Sequence, residues 1–113
     1  MSPIHADVLA RRDQLARDFR DAQPFRHVAI DGFLDPAFCR ALLDEFPRFE
    51  ARYALNETGA VGGKAVRMDV REISDTYRAL DRSIQAPEFL GLVSRTTGTP
   101  DLRYAPDYIG GGT

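Results

Sequence analysis

The sequence predicts an α+β chain, and three observations predict it. Capping residues precede apolar stripes at helical spacing, at Asp35-Pro36, Ser74 and Pro87. A clean apolar–polar alternation runs from Lys64 to Ile73, with Val66, Met68 and Val70 on one face and Arg67, Asp69 and Arg71 on the other, the period of a half-buried strand. The 113 residues are 43% hydrophobic, a folding composition. That length is enough for one domain, 1–113, which buries about two-thirds of its unfolded surface.

The elements follow in order. A leading helix occupies the stretch up to residue 23, with Ser2 as its cap and Pro3 in its first turn, where a missing N–H costs nothing. Val8, Leu15, Phe19 and Ala22 form its apolar stripe, and Pro24 ends it. Its arginines, Arg11, Arg12, Arg17 and Arg20, alternate with Asp13 and Asp18, as on a solvated face. Residues 25–30 read as a short strand with Val28 and Ile30 on one side, and Asp31-Gly32 as a turn. The helix opened by Asp35-Pro36 carries Phe38, Cys39, Leu42, Leu43 and Phe46, with Pro47 closing it. Cys39 in that stripe reads as a small core hydrophobe rather than a reactive thiol. Residues 54–63, with Asn56, Thr58 and three glycines, read as a mobile loop. After the strand 64–73, Ser74 caps a third helix on Ile73, Tyr77, Leu80 and Ile84. Pro87 starts a fourth, with Phe89, Leu90 and Val93 inward and Gly98 as its C-cap. Asp101–Tyr104 and Asp107–Ile109 read as short strands. The chain then reaches Gly110-Gly111-Gly112-Thr113 with no closing helix, which reads as a domain cut short.

Composition excludes several functions. Fifteen basic against 17 acidic residues leave no excess to neutralise a phosphate backbone, so no nucleic acid is expected as partner. A single cysteine rules out an intrachain disulfide and multi-cysteine metal sites. With no apolar N-terminal segment and no membrane-spanning window, the chain is expected in the cytoplasm.

Two motifs approach known chemistry. Gly59–Lys64 approaches a phosphate-binding P-loop, but three residues instead of four separate its first Gly from Gly63-Lys64, Ala65 lacks a hydroxyl, and a strand follows where a helix is needed. His5-Ala6-Asp7 spells the His-x-Asp of a two-His-one-carboxylate iron site, and His27 is the only other histidine. Such a pair leaves one strand on the same side. Residues 5 and 7 in the first turn of a helix instead project about 200° apart. No metal ligand and no catalytic residue is therefore assigned in this chain.

From residue 24 onward the order of features resembles a family. Pro24-Phe25, Ile30-Asp31-Gly32-Phe33-Leu34, the helix with Cys39, Leu42 and Phe46-Pro47, then Asn56, Gly59 and Lys64, Pro87-Glu88-Phe89-Leu90, Thr97-Gly98, Asp101-Leu102 and the block Tyr108 to Thr113 resemble the N-terminal half of iron(II)/2-oxoglutarate-dependent dioxygenases of the prolyl hydroxylase type. The resemblance covers residues 24–113. It implies supporting helices plus the first strands of a double-stranded β-helix, a jelly-roll-like barrel. It also implies Fe(II) and 2-oxoglutarate for the parent enzyme, with the metal-binding His-x-Asp, a later His and a basic cosubstrate residue beyond Thr113, and a hydroxylation substrate it does not specify. Tyr108 alone matches a position lining the cosubstrate pocket, where its phenol can donate to a carboxylate of 2-oxoglutarate; it also suits a buried strand tyrosine. The rival expectation is a self-contained α/β protein-interaction module without catalysis.

Overall fold

The computed structural model describes residues 2–108, 112 and 113. Five helices run through it: α1 (Ala6–Ala10), α2 (Arg12–Asp21), α3 (Pro36–Asp44), α4 (Asp75–Ile84) and α5 (Pro87–Thr97), with 3-10 turns at Ala51–Tyr53 and Val70–Glu72. The caps explain most boundaries. Asp35 accepts the amides of Ala37 and Phe38 ahead of Pro36, and Ser74 accepts that of Tyr77. Gly98 closes α5 at φ 68°, a left-handed conformation that suits a residue without Cβ. The leading helix starts later than Ser2 and Pro3 suggest. His5 is the cap, its Nδ1 accepting the Asp7 amide at 3.2 Å, and the helix breaks once at Arg11. Ser2 instead donates to Glu88 at 2.8 Å, tying the N-terminus to α5.

The core lies along the α2–α5 seam. Ile4, Val8, Leu15 and Leu92 are buried together, and Leu9, Val28, Ile30, Phe33 and Phe89 pack on them. The Phe33 and Phe89 rings meet edge to face at 6.3 Å. Pro3–His5 lies antiparallel to Phe33–Asp35: the His5 amide donates to Phe33 O and the Asp35 amide to Pro3 O, each at 2.8 Å. Beyond this seam, α3 packs on α4, where the Tyr77 hydroxyl donates to Leu42 O at 3.1 Å, and α4 packs on the Val70–Glu72 turn.

The expected α+β architecture, with its first strands of a jelly-roll-like barrel, is corrected by this structure. Helix accounts for 47% and strand for 4%, and no sheet or barrel forms among the described residues. The physical reason is that each candidate strand lacks a ladder partner, and a lone pair of strands is marginal in water. In 25–30, Val28 and Ile30 lay their side chains on the helical core instead. In 64–73, the Val66 amide donates to Tyr53 O and Arg67 pairs with Thr113. The chain then winds into the 3-10 turn, burying Val70 but leaving Met68 45% exposed. Positive φ at Asp101 and Tyr108 is incompatible with strands at 101–104 and 107–109; Ile109 itself lies outside the described residues, as do Gly110 and Gly111. Cys39 is also corrected, because it is exposed. Helix α3 buries none of its residues, so its apolar stripe is only partly covered, and Leu43 is 62% exposed. The glycine-bearing loop is organised by Asn56, whose Oδ1 accepts from Thr58 N, Thr58 Oγ1 and Ala60 N, under an antiparallel bridge between Leu55 and Val61.

Candidate functional site

A buried carboxylate organises the far side of the molecule. Ser74 fixes the start of α4, which places Tyr77 and, one turn on, Asp81 on the face turned inward. Asp81 is 2% exposed. Its Oδ1 accepts the hydroxyls of Tyr108, at 2.6 Å, and of Tyr104. Gln85 Nε2 donates to Oδ2 at 3.1 Å, and Arg71 Nε lies 3.5 Å from the same oxygen. Three hydrogen-bond donors and one ion-pair partner thus meet the carboxylate. A charge removed from water needs that compensation.

The donors come from three places in the chain. Arg71, in the Val70–Glu72 turn, also donates from Nη2 to Pro106 O at 2.6 Å, and its guanidinium lies 5.6 Å over the Tyr108 ring. The Tyr104 and Tyr108 rings stand edge to face at 6.2 Å. Both phenols are pushed above the ordinary tyrosine range, first by burial and then by donation to Asp81, which favours their protonated forms. The group is a donor–acceptor hub that holds a segment.

A second cluster adjoins it. Arg67 grips Asp69 through Nε–Oδ1 at 2.7 Å and Nη2–Oδ2 at 2.8 Å, and its guanidinium lies 4.3 Å over the Tyr53 ring. The paired hydrogen bonds lower Asp69 and raise Arg67 from their usual ranges. The Arg67 backbone exchanges hydrogen bonds in both directions with Thr113. Gly112 makes that approach possible: at φ 124°, a Cβ there would run into the Arg67 carbonyl.

Tyr108, the one residue assigned to the cosubstrate, thus donates its hydroxyl hydrogen bond to Asp81. His5 and Asp7 do not point apart as a helical turn would place them, because His5 is the cap; its Nδ1 is 3.7 Å from Asp7 Oδ2. His27 Nδ1 lies 2.8 Å from Phe25 O, far along the chain from both. No three His, Cys, Asp or Glu side chains gather to hold a metal among the described residues. Reading periodicity alone misses Asp81. The signal was present: Asp81 stands four residues after Tyr77, on the apolar side of an amphipathic helix, where a charge requires partners.

Compared with known proteins, the chain matches no family model, no curated protein and no solved structure. No helix among the described residues is long and apolar enough to cross a membrane.

Proposed function

We propose that this chain is a helical scaffold segment of a cytoplasmic iron(II)/2-oxoglutarate-dependent oxygenase, with the iron held by residues other than its own. The order of features over residues 24–113 supports the reading. The structural observation that carries it is a stretch of uncovered apolar side chains: Leu43, Phe46, Phe49, Leu55 and Val61 are each more than half exposed, while the α2–α5 core is closed. Such a surface suits a layer contributed by further polypeptide.

The described residues do not fit iron, since no ligand cluster exists among them. In this arrangement they do not fit 2-oxoglutarate either, because the Tyr108 hydroxyl and the Arg71 guanidinium are engaged with Asp81 and Pro106. No catalytic step is assigned to them, and the chain's part in the enzyme is support. The same exposed apolar side chains favour a second reading, an interaction module that binds a protein partner without catalysis.

The test is succinate formation from 2-oxoglutarate with Fe(II), measured on the product of the complete gene with and without residues 1–113. Activity that disappears on deletion is expected. A product that makes no succinate, together with a 1–113 chain that is monomeric and melts in a single cooperative transition, overturns the oxygenase reading in favour of the module.

A further inference from the structure

Asp101 and Tyr108 adopt left-handed backbone conformations, at φ 58° and 54°, at the two ends of the stretch 101–108. Aspartate tolerates this region; tyrosine enters it only where its surroundings impose it. Between the two, neither helix nor strand forms. Contacts to two side chains, Asp81 and Arg71, help tie the stretch to the helical layer. Tyr104 and Tyr108 both donate to the same oxygen of Asp81, and Arg71, itself paired with Asp81, donates to Pro106 O.

We propose that residues 101–108 form a strap, latched on the buried Asp81 carboxylate, that opens and closes as one unit over a helical layer that stays folded. The shared acceptor makes the unit. Removing one oxygen frees both phenols, and the freed Tyr108 relaxes its backbone, which favours opening further. The apolar core of Ile4, Val8, Leu15 and Leu92 takes no residue from the strap, so opening does not breach it. Closed, the strap buries Asp81 and covers the Arg71 pair; open, it exposes a carboxylate, a guanidinium and two phenols. Asp81 is thus the positioning residue for Tyr104 and Tyr108. The inference concerns the chain's own mechanics and stands whether or not the oxygenase reading does.

Residue-resolved nitration of the tyrosines with tetranitromethane tests it. In Asp81→Val, which removes both carboxylate oxygens, Tyr104 and Tyr108 are expected to react together, roughly ten- to hundredfold faster than in the unmodified chain, the change expected on losing a hydrogen bond to a charged group. Tyr77, whose hydroxyl reaches Leu42 O from the buried side of α4, keeps its protection and reports that the helical layer is intact. In Tyr108→Phe, which keeps the ring, Tyr104 is expected to gain reactivity of the same order. The proposal is overturned if only one tyrosine or neither responds in Asp81→Val, if Tyr104 is unmoved in Tyr108→Phe, or if Tyr77 loses protection alongside them, including by failure of Asp81→Val to fold.

Discussion

Val8 and Asp81 are the two largest fully buried side chains among the described residues, and they sit in opposite kinds of surroundings. Around Val8, the α2–α5 seam excludes water with Ile4, Leu15 and Leu92, groups that have no polar atom to satisfy. Around Asp81, a carboxylate is withdrawn from water and compensated donor by donor. Burying a leucine-sized side chain contributes roughly 1.5–3 kcal/mol whatever its exact neighbours. A buried ion pair contributes little net, yet removing one partner strands the other. The seam therefore stabilises, and tolerates exchange among apolar side chains of similar volume. The hub specifies where a loop lies, and tolerates almost no exchange.

The largest effect should come from the seam. Leu92→Ala leaves a void among Ile4, Val8 and Leu15 and should cost about 3 kcal/mol of global stability, read from the midpoint of urea unfolding at constant slope. A loss under roughly 1 kcal/mol would show that the seam is loosely packed and would break the comparison. Tyr108→Phe should cost less, up to about 2 kcal/mol, because it removes one hydrogen bond to a charged acceptor and keeps the ring. A global loss equal to that of Leu92→Ala would mean that the hub, and not the seam, carries the fold.

Alkaline pH separates the two regions further. Tyr104 and Tyr108 have folded-state pKa values raised above the ordinary tyrosine value, by burial first and by their bonds to Asp81 second. The unfolded chain therefore releases these protons at lower pH than the folded one. Their contribution is complete below about pH 10 and is lost as pH rises through the folded values. Tyr77, raised mainly by burial, adds to the same trend. Stability measured against pH should thus be flat near neutrality and fall in alkali. Tyr108→Phe should blunt the fall, whereas Leu92→Ala should lower the whole curve and leave its alkaline slope unchanged. An equal slope in both variants would remove the hub phenols as its cause.

How much of this was legible in the sequence follows from the same contrast. Helix starts at Asp35-Pro36, Ser74 and Pro87 and the Gly98 stop could be read because a cap acts within a few residues of itself. Val8 and Leu15 were legible because their spacing repeats. The strand at 64–73 was misread because alternation tests only which side faces inward; whether a partner strand lies alongside is decided elsewhere in the chain. Cys39 was misread for a related reason, since a stripe shows that a face is apolar and not that something covers it. Asp81 was illegible by periodicity because its partners stand ten residues before it and 23 and 27 residues after it, at Arg71, Tyr104 and Tyr108.

The smallest expected effect tests the seam where it departs from its own rule. Thr96 lies on α5, is 7% exposed, and its hydroxyl is buried without a hydrogen-bond partner among the described residues. It is thus the polar counterpart of Asp81 with none of the compensation. A buried hydroxyl left unpaired costs roughly 1–3 kcal/mol, and replacing it by a methyl of similar shape removes the cost without opening a cavity. Thr96→Val should therefore raise global stability by about 1 kcal/mol, the low end of that range, and valine keeps the β-branch and its χ1 preference in α5. Asp81→Val, an equally crude exchange of polar for apolar at an equally buried position, should do the opposite, because three donors would lose their acceptor and Arg71 its counter-charge. Paired urea titrations of the two variants decide it. If Thr96→Val is destabilising by more than about 0.5 kcal/mol, the hydroxyl has a partner, such as a water between α2 and α5, and the seam is less dry than its side chains imply.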